Sequence, residues 1–352
     1  MPYVERQLSE QPRQPERVRL PNLSFGIYLP KEFITNQQIE QWGIKTQSGK
    51  LLTASDIQKK IGIERRFIAG PNESVIDMGI RAALAAGNLE DIYAVFASTS
   101  YPIGKNVSRE IGRHLQIEPK FHLDIHAACS GFVRGLAYMH EREEEFQGKK
   151  VLFVASEKYS HTLADLRKPE GIITDSSMAQ VIFSDGATAM VFTYGKDIRV
   201  LAHKSKKLPK ESENYIRMPI DRLLMTSPFL EESVPCSTNG LLQQDGPKVF
   251  ETVLSNVPDL NREVIEELGI TSFDRNLTIP HQASGRMLTG LAKKMSEYNM
   301  FFDIDDGNFS SASIPKAFAR AIKEGKIQRG YKILLSGFGA GLYASSAIVE
   351  LG

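Results

Sequence analysis

The 352-residue sequence predicts an α/β fold built as two similar halves. Three observations carry that expectation. The chain exceeds the ~250–300 residues that a single hydrophobic core usually sustains. Amphipathic helical stretches alternate with short apolar runs of strand type, the βαβ pattern. Two distant stretches also echo one another: EEEFQGKKVLFVAS and AIKEGKIQRGYKILLSGFG each read as helix, turn and strand. Each is followed by a small-residue strand, GATAMVF and YASSAIV. Duplication of one α/β unit, with the two units packed together, explains both the echo and the size.

In chain order, residues 1–19 read as a flexible polar lead, charged and proline-bearing, with no apolar run suited to a signal peptide or a bilayer span. The first half then covers 20–196. NLSFGIYLPKEFI gives a short strand ending at Pro30, and Thr35 caps a helix in NQQIEQWGI. LTASDIQKKIGIERRFIA reads as a capped helix, a tight turn at Gly62 and a basic connector. SVIDMGIRAALAAGNL has apolar residues at helical spacing and stops at Gly87, and DIYAVFAST follows as a strand. NVSREIGRHLQI is a further amphipathic helix, KVLFVAS a strand, and QVIFSDGATAMVFTYG two strands joined near Asp185 and Gly186. The second half, 197–352, begins a looser copy after a variable segment from about Lys204 to Asn239.

Composition is that of an ordinary globular protein, 41% hydrophobic and 24% charged. The formal charge of +1 argues against nucleic-acid binding through bulk positive potential. The two cysteines, Cys129 and Cys236, suggest neither a disulfide framework nor a thiolate metal site. A soluble cytoplasmic protein in a reducing compartment is expected.

The candidate chemistry centres on FHLDIHAACSGFVRGLAYM, where an apolar strand stops at Cys129 and a helix starts at once. Free cysteines are commonly small buried apolar residues. At a helix N-terminus, however, unpaired N–H groups and the helix dipole favour an anion, and a thiolate there is a nucleophile. Of seven histidines, His281 stands apart, because NLTIPHQASGRML places it directly after a short strand and a proline, ahead of a helix. Functional groups of α/β proteins gather at such carboxyl ends of strands. Asn308, in DDGNFSSASIPKAFARAI, occupies a third such place, where it could also simply cap the helix. SGFGAGLYASSAIV puts three glycines after a strand, opening backbone N–H groups towards a site. No metal-ligand spacing and no phosphate or dinucleotide fingerprint is present, so no cofactor is expected.

Taken together, these segments resemble the β-ketoacyl-acyl carrier protein synthase III family of the thiolase superfamily, from about Leu20 to the end. The resemblance rests on ACSGF, IPHQASGR, GNFSSASIP and GFGAGLYAS, with GIERRFIA and FSDGATA in family order. It implies a thiolase-like five-layered αβαβα fold acting as a homodimer. By the same resemblance Cys129 is expected to take an acyl group from an acyl-CoA or acyl-carrier thioester, and a malonyl thioester to decarboxylate to a carbanion that attacks it. His281 and Asn308 are expected to hold the malonyl thioester carbonyl. The backbone N–H groups of Cys129 and Ala340 are expected to form the oxyanion hole, and Phe338 to shield the thiol. Gln244, Gly246 and Phe250 are expected along the pantetheine arm, with Asp245 in the same segment. Arg286 and Arg66 are expected to dock the acidic acyl carrier protein.

The sequence departs from the family pattern in several places. No tryptophan stands before GIERRFIA to stack on the adenine of coenzyme A, the one tryptophan being Trp42; PIGKN around Ile103 has no aromatic; LADLRKPEGIITDSSM is an unfamiliar rim segment; and Gln244 replaces an apolar type. These features point to a specialised synthase with an unusual donor or acceptor, in fatty acid or secondary metabolite biosynthesis. Two alternatives are acyl transfer to oxygen or nitrogen, against which the intact Asn308 counts, and a non-catalytic partner subunit, against which the retained Cys129 counts.

Overall fold

Six strands form one sheet: β1 (Glu16–Arg19), β2 (Ser24–Tyr28), β3 (Ala94–Ser98), β4 (Phe121–Ile125), β5 (Lys150–Glu157) and β6 (Gly186–Thr193). Their order is β1-β2-β6-β5-β3-β4, with β3 parallel to β4 and β5 and the other pairs antiparallel. A second sheet has the order β7-β10-β9-β8, from β7 (Ile198–Lys207), β8 (Asn276–Pro280), β9 (Lys332–Gly339) and β10 (Tyr343–Leu351). Only β8 and β9 run parallel there. These coordinates are a computed structural model that describes residues 14–46, 48–100, 106–160, 163, 172–173, 178–209, 212, 215–217, 243–270, 276–339 and 343–352.

The second sheet repeats the topology of the first. Met300 adds to its edge through a parallel bridge to Thr278, so the order Met300, β8, β9, β10, β7 mirrors β4, β3, β5, β6, β2. We propose 20–196 and 197–352 as the two halves on this basis. The expected lead is shorter than 1–19, because Glu16–Arg19 pair antiparallel with β2 as an edge strand. Val18 buries its side chain there, and Glu16 meets Arg320 and Lys323.

Helix α1 (Ala54–Ile61) is capped by Thr53 and ends at Gly62, whose φ of 67° is left-handed. Helices α2 (Val75–Ala86) and α3 (Val107–His114) cover the outer face of the first sheet. Helices α4 (Gly131–Glu141), α5 (Gly246–Glu267), α6 (Gly285–Lys294) and α7 (Ser313–Lys323) complete the layers: α4 and α7 fill the space between the sheets, and α5 and α6 cover the second. The result is the expected five-layered αβαβα arrangement. Its central core joins Phe25, Phe132 and Phe153 of the first half to Ile314, Phe318 and Leu335 of the second.

Close packing of α2 on β2 depends on one glycine. A Cβ on Gly26 would lie 1.9 Å from the Ala82 carbonyl oxygen, a backbone atom that cannot rotate away. Gly26→Ala is expected to destabilise the protein by about 3 kcal/mol, the upper end of overpacking costs. The measurement is the midpoint of urea unfolding, and an unchanged midpoint would contradict this packing.

One strand expectation is corrected. QVIF is not a strand: Met178–Val181 forms a 3-10 turn, and only Gly186–Thr193 enters the sheet. The buried Asp185 carboxylate accepts from the backbone N–H groups of Ala69, Tyr159 and Ser160, pinning the junction so that pairing begins after it.

Candidate active site

Beyond β4 the chain makes a tight bend. His126 Nδ1 donates to the Thr99 carbonyl at 2.9 Å, and Ala128 then adopts a φ of 44°, a left-handed conformation costly for a side chain with a Cβ. Ala128–Ser130 form a 3-10 turn that runs into α4, which puts the buried Cys129 at the helix start. The second half repeats this device: Ser310 has a φ of 48°, and Ser310–Ala312 form a 3-10 turn leading into α7. The two turns pack against one another. Strand β9 comes close beside them, since a Cβ on Gly339 would stand 2.8 Å from the Cys129 nitrogen. One on Gly337 would stand 2.8 Å from the Ser130 Cα. Glycine at both positions lets β9 lie against the cysteine turn.

His281 leaves the end of β8, and its N–H donates to the Ser336 carbonyl at 2.7 Å, tying it to β9. Its ring is buried and stands edge-on to Phe338, with centroids 5.1 Å apart. Burial pulls its pKa down to about 3, so the imidazole is neutral. Nδ1 lies 2.7 Å from the Ser313 hydroxyl, which is also 2.8 Å from the Ser310 carbonyl. That hydroxyl has one hydrogen, so its direction sets the tautomer of His281. Donation to Nδ1 leaves the ring proton on Nε2; donation to the carbonyl leaves it on Nδ1.

Asn308 is clamped at its backbone, donating to the Ile182 carbonyl and accepting from the Ser184 N–H, both at 2.9 Å. Its Oδ1 accepts the Ser310 N–H at 2.7 Å, which turns Nδ2 towards His281 Nε2 at 3.5 Å. An expected cap thus becomes an oriented carboxamide. The loop before it is braced by Asp306, which pairs with Arg65 and with the buried Lys316.

Cys129, His281, Asn308 and Phe338 line one cavity of about 250 Å³, and Gln244, Gly246, Phe250 and Arg286 line it too. Arg286 lies over the Phe250 ring and also borders a neighbouring groove with Lys59, Lys293 and Lys294. The expected docking role of Arg66 is overturned: its side chain is 0% exposed, donating to the Val181 carbonyl and to Asn36. Burial lowers its pKa to about 9. Successive strand residues face opposite ways, so Arg65 points out while Arg66 points in. Trp42 packs against the cluster around Ile39 and Ile57. Ala340, Ile103 and nearly all of LADLRKPEGIITDSSM lie outside the described residues.

Sequence reasoning missed a buried acid. The Glu157 carboxylate accepts from the Ser100 N–H and hydroxyl at 2.9 and 3.0 Å, and from the Ser311 N–H and hydroxyl at 3.1 and 2.5 Å. Its one sequence signal is an acidic residue closing the otherwise apolar run KVLFVASE. Burial raises it to about 7 and raises the Cys129 thiol to about 12.

The family model described as 3-oxoacyl-[acyl-carrier-protein] synthase III matches residues 123–207, and its C-terminal counterpart matches residues 265–351. The β-ketoacyl-[acyl-carrier-protein] synthase III of Aquifex aeolicus is 31% identical over 332 residues, covering 91% of this chain and 96% of that protein. The chain belongs to the synthase III family. The relative from Aliivibrio fischeri is 30% identical over 340 residues, covering 93% of this chain and 98% of its own. The crystal structure of the Aquifex aeolicus synthase III superposes with a TM-score of 0.75 at 25% identity, covering 96% of this chain and 99% of that one. The priming β-ketosynthase of the R1128 polyketide pathway gives 0.74 at 27%, covering 96% and 98%. The thiolase-like fold is therefore that of synthase III. Among the described residues no cluster of His, Cys, Asp or Glu could hold a metal ion, and no helix is long and apolar enough to cross a membrane.

Proposed function

We propose that this synthase III-like enzyme loads an acyl group on Cys129 from a CoA or carrier thioester. It then condenses that group with a malonyl, or β-ketoacyl, thioester. The carrying observation is the convergence of Cys129, His281 and Asn308, from three segments up to 179 residues apart, on one cavity. The Cys129 thiolate attacks the donor carbonyl, and the donor thiol leaves with the proton. Loss of carbon dioxide from the malonyl thioester puts negative charge on its carbonyl oxygen, where His281 Nε2–H and Asn308 Nδ2–H donate. The Ser313 hydroxyl must then donate to Nδ1. The carbanion attacks the acyl carbonyl, the oxyanion is held by the N–H groups of Cys129 and Ala340, and expulsion of the Cys129 thiolate frees the β-ketoacyl thioester.

No cofactor enters this chemistry, because the thioesters themselves supply the driving force. Gln244, Gly246 and Phe250 guide the pantetheine arm, Phe338 shields the thiol, and Arg286 meets the acidic carrier protein with Lys59, Lys293 and Lys294 beside it. A homodimer would form along the first sheet near β3 and its neighbour β4, whose outer edge has no further strand beside it among the described residues and otherwise invites pairing. The sequence departures favour a specialised member, serving secondary metabolite or fatty acid biosynthesis, and the sparse cysteines and polar N-terminal segment favour the cytoplasm.

Intact-mass spectrometry after exposure to a panel of acyl-CoA and acyl-carrier thioesters tests this. One donor is expected to add its acyl mass to the Cys129 peptide, and malonyl carrier protein then to remove it as a β-ketoacyl product. An acyl mass on another residue would overturn the assignment. Faster condensation from acetyl-CoA than from any longer or aromatic donor would remove the specialisation.

A further inference from the structure

Cys129 lies at one end of a buried hydroxyl chain, and Glu157 lies at the other. The thiol donates to the Ser310 hydroxyl at 3.4 Å, Ser310 and Ser100 hydroxyls are 3.0 Å apart, and Ser100 donates to Glu157 Oε1 at 3.0 Å. The direction follows from counting hydrogens. Each serine hydroxyl has one to give, and that of Ser100 goes to the carboxylate. In the bond between the two serines the Ser310 hydroxyl is then the donor, and its oxygen accepts from the thiol. All four groups are buried.

We propose that this chain is the proton path that activates Cys129, with Glu157 as the base. As the thiolate forms, the thiol proton passes to Ser310, the Ser310 proton to Ser100, and the Ser100 proton to Glu157. The sulfur pair then attacks the thioester carbonyl, and the proton returns along the same chain to the departing thiolate. One proton moves and the buried cluster keeps a single negative charge throughout. Direct loss of that proton to water would put two negative charges into the same desolvated space, which is costly. Burial raises both the thiol and the carboxyl, as expected for two acids that share one charge, and Glu157 is among the groups that raise the thiol. Among the described residues two further titratable groups stand near the chain: His281, which shares the cavity with Cys129 and is kept neutral by burial, and Tyr159, whose phenol contacts Ser100 and Ser310 and is held well above its usual range by burial, so it stays neutral. Ser310 also donates its N–H to Asn308 Oδ1, and one residue thereby serves both the thiol and the carboxamide.

This inference rests on Cys129 being the nucleophile, and its test separates the two. Glu157→Gln keeps the shape and an acceptor but cannot act as an equally basic proton store. Alkylation of Cys129 by iodoacetamide and acyl loading would be followed from pH 5.5 to 9.5, with the site confirmed by peptide mass. In E157Q both rates are expected to fall about 10²-fold at pH 7, the range of a lost general base, and the wild-type rise near neutral pH to disappear. A purely structural carboxylate would leave that profile in place. If Glu157 merely repels the thiolate, E157Q alkylates as fast as or faster than wild type at pH 7, and the path is refuted. Should E157Q not fold, Ser100→Ala breaks the chain without removing the charge and is expected to cause the same loss; unchanged rates there overturn the proposal. Acyl loading that persists in Cys129→Ala would instead refute the nucleophile assignment.

Discussion

Replacing Cys129 with alanine is expected to abolish the acyl-enzyme and to lower turnover by about 10⁴-fold or more, the scale on which loss of a covalent nucleophile acts. The neighbouring Ser310 hydroxyl cannot take its place, because it is engaged with Ser100. The fold should tolerate the change. Cys129 is a small buried side chain whose thiol meets the Ser310 hydroxyl at 3.4 Å, so the unfolding midpoint should move little while the acyl mass vanishes. An acyl adduct on C129A would remove the central assignment.

The second large effect is expected at the other end of the reaction. Asn308→Ala and His281→Ala should still load the acyl group but lose decarboxylation and condensation by about 10²- to 10³-fold each, the cost of removing one donor from a developing oxyanion. Single-turnover loading read separately from carbon dioxide release distinguishes the steps. Normal condensation by N308A would sink its role. The pH dependence adds a check. His281 titrates in the folded protein near 3, below the ordinary value of 6.5. It remains neutral across pH 5–8, and the condensation rate should show no acid limb from it. The unfolded chain takes up this proton more readily, so the contribution of His281 to stability is full above pH 6.5 and is lost as pH falls towards 3.

The α/β class was legible, and so were the segments that bring Cys129, His281 and Asn308 to one cavity, because each mark is local. Cys129 and His281 each follow an apolar strand and precede a helix, Asn308 follows a glycine-led polar loop ahead of a helix, and functional groups in α/β proteins gather at such strand ends. What could not be read is whatever depends on pairing across the fold. Glu157 gains its meaning from Ser100, 57 residues away, and from Ser311, 154 residues away. Arg65 and Arg66 are the same residue type at adjacent positions, and only the register of their strand decides which one is buried. QVIF failed as a strand because Asp185 fixes the backbone ahead of it, through donors at residues 69, 159 and 160.

The left-handed bends at Ala128 and Ser310 meet at the seam between the two sheets, and the hydroxyl chain crosses that seam twice, from Cys129 to Ser310 and back to Ser100. Any relative slippage of the sheets therefore disconnects the thiol from its base and from the carboxamide at the same moment. Catalysis in this enzyme doubles as a strain gauge for the seam. Gentle warming or mild denaturant should silence turnover before either sheet loses its strands, and a chain damaged in one half has no partial activity to offer.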